Sequence, residues 1–172
     1  MTRQGDAIET ATIGCEGAVG AFAGFGPRRA HARAVVQVRG LSSRIAASRF
    51  RKVAEESGAV CSLLVRYGEM LLIQVQQTAA CNALHPVEAR FCRWLLQSAD
   101  RAASDTVTLT QELLAEMLGV RRTSVTEVAG KLQNDGVITY SRGIIRIVDR
   151  PGLERLSCEC YQTLVDHEAT LT

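Results

Sequence analysis

The sequence predicts an α+β protein with a strand-rich N-terminal part, one long helix and a C-terminal winged helix-turn-helix domain. Short apolar runs punctuated by glycine fill the first part of the chain, as in strands joined by turns. An apolar repeat of four and three residues follows. Two short helical patterns around Gly119 then lead into two β-branched runs. We therefore divide the chain into residues 1–56, 57–84 and 85–172.

Composition and charge limit what the chain can be. Its 172 residues are 47% hydrophobic, which is enough to bury the core of one ordinary domain or two small ones. The formal net charge of +2 is too small to indicate a polyanionic partner, so that prediction depends on local clustering. We find neither an uninterrupted apolar run of membrane-spanning length nor a secretory leader, and we expect a cytoplasmic protein without membrane contact.

Residues 1–56 are predicted to form short strands and turns. The apolar run "ARAVVQV", residues 32–38, is the clearest strand candidate, and the preceding "FAGFGPRR" carries the glycine and proline of a turn.

Residues 57–84 are predicted to form a long helix that joins two subunits. Apolar and small polar positions step by four and three residues, the spacing at which one helix packs along another. These positions are Val60, Leu64, Tyr67, Leu71, Gln74 and Thr78. The alternative is a helix packed against its own domain, for which Leu63, Leu72 and Val75 on the other flank are suited. Both contacts can coexist.

The segment "NALHP" ends that helix, because proline disfavours helical geometry in the residue before it. A second amphipathic helix is predicted from about Val87 to Ala102, with Phe91, Trp94 and Leu95 on its apolar side. A loop and a short strand, "SDTVTL", follow.

The stretch "LTQELLAEMLGVRRTSVTEVAGKLQNDGVI" has the spacing of a helix-turn-helix. A first helix is predicted from Gln111 to about Leu118 and a second from about Arg121 to Asp135. Gly119 between them permits a left-handed turn that a side chain would resist. The following "GVITYSRGIIRIV" has two β-branched runs around a polar turn, which predicts the hairpin of a winged helix.

Such a domain suits duplex DNA, because the major groove admits one helix and the start of that helix touches base edges. Arginine can bind guanine with two hydrogen bonds, and hydroxyl side chains can bind bases or phosphates. The alternative for the arginine pair is plain solvation. The candidate DNA-binding residues are Gln111, Arg121, Arg122, Thr123, Ser124, Thr126, Glu127, Lys131, Ser141 and Arg142.

The six cysteines and three histidines show no metal-ligand spacing, and no phosphate-binding loop or catalytic triad is evident. Cys158 and Cys160 are two apart on a predicted helix, where such neighbours point in different directions. We therefore expect no metal, no cofactor and no enzyme activity. The thiols are predicted to be buried and reduced, with redox sensing as the alternative.

At these residues the chain resembles the Crp/Fnr-type transcription regulators, from about Cys15 to Tyr161. The resemblance is strongest in the helix-turn-helix stretch and in "RGIIRIVDRPGLERLSCECY", and it extends to "CNALHPVEARFCRWLLQSADR". It implies a jelly-roll sensor barrel, a long dimerising helix and a winged helix that binds palindromic promoter DNA, with RNA polymerase as a further partner.

The chain departs from the family pattern where the second helix begins. Many members carry a hydroxyl cap, then arginine and glutamate. Here Arg121, Arg122 and Thr123 stand at those positions, so the DNA sequence preference should differ from that of the best-known members.

The sensor departs further. Ala21 follows Gly20 where cyclic-nucleotide-binding members carry glutamate, and "HARA" replaces their arginine-hydroxyl pair. We expect no response to cyclic nucleotide, although Arg28, Arg29 or Arg33 could meet another anion. The effector stays unknown. About a third of the barrel that the resemblance implies would precede the point at which the match begins, and the iron-sulfur branch requires an N-terminal cysteine cluster that this chain lacks.

Two other functions are compatible with the sequence. A winged helix can serve as a protein-interaction module beside a degenerate sensor, and a cysteine nucleophile could make the chain an enzyme. The first alternative predicts weak, salt-insensitive association with DNA.

Overall fold

The computed structural model describes residues 7–26, 30 and 32–169. Within them lie a 3-10 turn at Ala21–Gly24, seven α-helices and one three-stranded sheet. In chain order these are α1 (Ala47–Glu56), α2 (Gly58–Leu84), α3 (Val87–Ala102), β1 (Thr106–Thr108), α4 (Gln111–Leu118), α5 (Arg122–Asn134), β2 (Ile138–Ser141), β3 (Ile144–Ile147), α6 (Arg150–Leu156) and α7 (Cys160–Ala169).

The predicted jelly-roll-like strands of residues 1–56 are wrong for the described part of that segment. The only regular elements described before α2 are the 3-10 turn and α1. The run at 32–38 pairs with no described strand, and Val36 within it is 84% exposed. A strand satisfies its backbone groups only beside a partner, and the described sheet lies wholly in the C-terminal half. Arg28, Arg29 and His31 lie outside the described residues.

The long helix predicted for residues 57–84 is present as α2. The Ser57 side chain caps its start by accepting from the Val60 amide, and the helix ends just before His85 and Pro86. The predicted dimer positions mostly face the chain's own N-terminal segment: Leu64 packs with Ala21 and Ala54.

Polar positions on the same side of α2 are also covered by the chain itself. Gln74 is buried and donates from Nε2 to the Thr12 carbonyl at 3.2 Å, and Thr78 is buried. The flank assigned to an intramolecular contact is instead open, since Leu63, Leu72 and Val75 are exposed. The flank predicted to join two subunits is therefore covered by this chain itself, and the flank predicted to pack within the chain is exposed.

By length and composition alone, α2 could cross a bilayer, with a mean hydropathy of 1.3 over its most apolar window. It reaches this level although charged residues interrupt its apolar runs. One such helix is weak evidence for a membrane span, because helices of soluble proteins pass the same test.

One continuous core holds the C-terminal half together. Apolar side chains from α3, α4, α5, α6 and the sheet meet in it, and the largest fully buried ones include Trp94, Phe91, Leu95, Leu114, Leu118, Leu132, Ile138, Ile145 and Leu153. The sheet order is β1-β3-β2, and both pairings are antiparallel. The predicted arrangement of helix, turn, helix and hairpin is confirmed.

The N-terminal segment lies across the back of this domain. The Glu9 amide donates to the Met117 carbonyl at 3.2 Å, and the Glu9 carboxylate accepts from Trp94 Nε1 at 3.0 Å. Thr12 and Gln37 also donate to this carboxylate. Burial raises the pKa of Glu9 above its ordinary value, against these hydrogen bonds.

Candidate nucleic-acid interface

The turn between α4 and α5 is built from local capping. The Thr110 hydroxyl accepts from the Leu113 amide at the start of α4. Gly119 ends α4 with φ 63°, and the Val120 amide returns to the Ala115 carbonyl at 3.0 Å. A Cβ at position 119 would lie 2.6 Å from Ile8 Cδ1. Glycine is therefore favoured chiefly by its left-handed backbone conformation, because the tip of the exposed Ile8 side chain can shift.

The start of α5 presents two arginines to solvent. Arg121 is the N-cap residue but makes no side-chain capping bond. Arg122, the first helical residue, forms an ion pair with Glu112 at 3.0 Å and donates from Nε to Gln111 Oε1 at 3.4 Å. Thr126 donates to the same Gln111 oxygen at 2.9 Å, so Gln111 joins the starts of α4 and α5.

The hairpin of β2 and β3 forms the wing. Arg142 and Gly143 at its tip both have positive φ, 50° and 78°, as in the tight hairpin turns whose twist matches the strands. The Leu109 amide donates to the Gly143 carbonyl at 2.7 Å, and Tyr140 Oη donates to the Leu109 carbonyl at 3.1 Å. These two bonds fix the wing beside the start of α4.

An open groove of about 390 Å³ runs between the wing and the starts of α4 and α5. It is lined by Thr110, Gln111, Glu112, Arg122, Tyr140, Arg142 and Gly143. Three predicted DNA-binding residues, Gln111, Arg122 and Arg142, are thus brought to one groove. Two arginines and one carboxylate residue, Glu112, are among its lining residues.

The other candidates are distributed differently. Thr123, Thr126, Glu127 and Ser141 are exposed, and Ser124 is half-buried. Lys131 turns toward α3 and pairs with Glu88 at 2.7 Å, a hydrogen bond that raises the pKa of Lys131. The structure therefore does not place the Lys131 ammonium with the arginines of the groove.

A second cluster was missed from the sequence. Cys81, His85, Cys158 and Cys160 bring four possible ligand atoms together, against the expectation of no metal-ligand spacing. Cys158 and Cys160 are not on one continuous helix, because α6 ends at Leu156 and α7 begins at Cys160. A hydrogen bond from Cys158 lowers the pKa of Cys81 to about 5. Two thiols expected to be buried, Cys15 and Cys61, are exposed.

Residues 89–156 match the family described as the Crp-like helix-turn-helix domain. Over those residues the chain is therefore similar to that domain family. A search of curated proteins found no match.

Solved structures share the fold over about two thirds of the chain. FixK2 from Bradyrhizobium japonicum has a TM-score of 0.60 at 18% identity, covering 65% of this chain and 59% of that one. A transcriptional regulator of the CRP family from Thermus thermophilus has a TM-score of 0.53 at 25% identity, covering 59% and 55%.

A protein described as a Crp/Fnr-family transcriptional regulator, from Eubacterium rectale, has a TM-score of 0.52 at 23% identity, covering 64% of this chain and 51% of that one. The chain therefore spans between 51% and 59% of the length of these structures. The resemblance to Crp/Fnr regulators predicted from the sequence is confirmed.

Proposed function

We propose that the protein is a cytoplasmic, sequence-specific DNA-binding transcription regulator that acts as a homodimer on palindromic promoter sites, with RNA polymerase as a further partner. The observation that carries the proposal is the groove in which the start of α4, the start of α5 and the wing tip converge. Arg122 and Arg142 line it, as a surface for a phosphate backbone and an adjacent base edge requires.

The residues of the groove differ in which part of a DNA duplex they could contact. Arg122 stands at the entering end of α5, from which a guanidinium can bind guanine O6 and N7 together. Arg142 projects from the wing tip, where a cation meets phosphate without reading sequence. Gln111 at the start of α4 has a role in positioning, because it already bonds Arg122 and Thr126.

Dimerisation is assigned to the open flank of α2, rather than to the flank first predicted. A stripe there also steps by four and three residues, and Val65 and Leu72 within it are 59% and 56% exposed. The stripe consists of Cys61, Val65, Gly68, Leu72, Val75 and Ala79. An apolar helix face of this length and spacing suits an identical helix.

Cyclic nucleotide does not suit the described sensor segment. Ala21, where the family's binding members carry a carboxylate, is 4% exposed and packs with Ala54 and Leu64. A glutamate there would be buried among apolar groups and could not bind a ribose without unpacking them.

Neither alternative has comparable support. A protein-interaction module would not require two arginines in the same open groove. A cysteine-dependent enzyme would need a reachable thiolate, and Cys81, whose pKa is lowered, is 0% exposed.

Selection of duplexes from a random pool by the purified protein tests the proposal. We expect enrichment of two inverted half-sites with centres about 34 Å, one helical turn, apart. Recovery of unrelated duplexes at every round, or binding that does not weaken with salt, would contradict it.

A further inference from the structure

Four ligand-bearing side chains meet where α2 ends against the junction of α6 and α7. Cys81 lies in the last turn of α2 and His85 directly follows it, whereas Cys158 lies between α6 and α7, and Cys160 begins α7. Their sulfur and nitrogen atoms all lie within 4.8 Å of one another. The Cys81 and Cys158 sulfurs are 3.5 Å apart, and Cys160 Sγ is 3.5 Å from His85 Nδ1.

These distances fit one tetrahedral ion. Zinc-sulfur bonds of about 2.3 Å in a tetrahedron separate the donor atoms by roughly 3.8 Å. We propose that Cys81, His85, Cys158 and Cys160 form a binding site for a single thiophilic divalent cation, Zn²⁺, that clamps the end of α2 to the start of α7.

The groups around the four donors have the geometry of a metal site's outer shell. His85 Nε2 lies 3.2 Å from Glu159 Oε1, which leaves Nδ1 directed at the sulfurs. A carboxylate on the remote nitrogen fixes the tautomer and orientation of a ligating imidazole. Gln77 Nε2 donates to Cys160 Sγ at 2.9 Å, a bond that stabilises a thiolate.

Charge balance supports the same assignment. Three thiolates on a divalent ion leave net negative charge, and two buried arginines lie within its electrostatic reach: Arg90 and Arg93 are 7% and 5% exposed. Arg93 donates to Gln97 at 2.6 Å, and its Nε has no hydrogen-bond partner in the described structure. Buried cations of this kind are stabilised by a compensating anionic group nearby.

The site is closed. Cys81, Cys158 and Cys160 are 0%, 7% and 1% exposed, and with His85 they supply all four positions of a tetrahedron. Such sites hold structure and leave no open position for a substrate. Here the ion would join segments 77 residues apart in the chain, between Cys81 and Cys158, and would fix the long helix relative to the winged-helix domain.

The test measures the purified full chain for metal content and for Co²⁺ binding. We expect one Zn²⁺ per chain, replaceable by Co²⁺ with the intense visible absorption of a tetrahedral thiolate complex, and a lower Tm after chelation. Cys160→Ser and His85→Ala should each weaken Zn²⁺ binding at least tenfold. Cys15→Ser, which changes an exposed cysteine outside both the four-ligand cluster and the proposed dimer stripe, is the control and should bind as wild type.

Three results would overturn the site. One is that wild-type protein binds no Co²⁺ in the tetrahedral form, a result that does not depend on the folding of any variant. Another is equal loss of binding in Cys15→Ser. A Cys81–Cys158 disulfide in metal-free protein purified without reductant, found by mass spectrometry and unaffected by Zn²⁺ during expression, would replace the metal site with a redox pair.

Discussion

The Arg122 guanidinium is held by an ion pair that DNA could displace. Its guanidinium pairs with Glu112, and both side chains are well exposed, at 65% and 63%. An exposed pair of this kind is worth only about 0–1 kcal/mol, so a phosphate or guanine can displace the carboxylate at little cost. The same carboxylate stands in the groove where we place phosphate.

Glu112→Gln should therefore strengthen binding to every duplex. Removing a negative charge that faces phosphates, together with a competing partner of Arg122, is expected to gain about 0.2–1 kcal/mol at low salt. Fluorescence anisotropy on specific and scrambled duplexes measures it. Glu116→Gln, which breaks a pair with Arg33 at the other end of α4, is the control. Unchanged or weaker binding by Glu112→Gln would place phosphate elsewhere.

Glu9 is expected to make stability depend on pH. Burial raises its pKa in the folded protein above the ordinary value of 4.5, so folding favours the protonated form. Stability from this group is then fully present below pH 4.5 and is lost as pH rises through the raised value. Glu9→Gln keeps an acceptor for Trp94 and should remove that loss.

Thermal unfolding across an acid-to-neutral pH series compares wild type with Glu9→Gln, and Glu55→Gln on exposed α1 serves as control. Parallel pH profiles for wild type and Glu9→Gln would show that Glu9 is not a buried titrating group in solution.

Among the elements, those with local signals were predictable. The first helix of the helix-turn-helix was predicted from Gln111 to about Leu118 and is observed there, and the second begins at Arg122 instead of Arg121. In the sequence itself, Gly119 marks the turn between these two helices, and a polar turn marks the hairpin that follows. The lack of strands in the described part of residues 1–56 was not predictable, because strand pairing depends on a distant partner that a run of apolar residues does not reveal.

The same limit applied to α2. Its two flanks both carry apolar four-three spacing, and periodicity alone cannot say which one its own chain covers. Only the packing of Leu64 against Ala21 and Ala54 decides it.

Charge on the open flank of α2 should separate subunits without unfolding them. Val65→Glu with Leu72→Glu is expected to give a folded monomer by sedimentation, because neither side chain is buried within the described chain. Leu64→Glu is the contrasting variant: it places a carboxylate at a site that is 7% exposed, so it should lower Tm instead. A dimer that survives the double change would move the interface away from this stripe.

At the scale of the whole molecule, the fold brings together residues that lie far apart in the sequence, and sequence order alone does not reveal these contacts. The groove could be predicted in outline, because the helix-turn-helix and wing are adjacent in the chain. The four-ligand cluster could not, since Cys81 and His85 meet Cys158 and Cys160 only after α2 packs on α7. A Cys-x-x-x-His spacing at a helix end beside a later Cys-x-Cys was the signal available.

The sensor segment should be indifferent to cyclic nucleotides. Cyclic AMP or cyclic GMP is expected to change neither Tm nor DNA affinity, because a ligand shifts an equilibrium only through differential binding. A rise in Tm with either nucleotide at sub-millimolar concentration would show that a binding site exists despite Ala21.

In the proposed complex with DNA, α5 reads bases while the wing holds phosphate. The measurement is equilibrium binding of wild type, Arg122→Ala and Arg142→Asn to the selected duplex and a scrambled one across a salt series. Asparagine is used at position 142 because it tolerates the left-handed backbone there, at φ 50°.

Arg122→Ala should cost about 1–3 kcal/mol on the selected duplex and much less on the scrambled one, with preference relaxed at one base pair per half-site. Arg142→Asn should weaken both duplexes alike and flatten the salt slope by about one unit for each phosphate that is no longer neutralised. Equal losses of affinity on both duplexes for Arg122→Ala would show that it positions rather than reads, and unchanged affinity for both variants would remove this groove from DNA altogether.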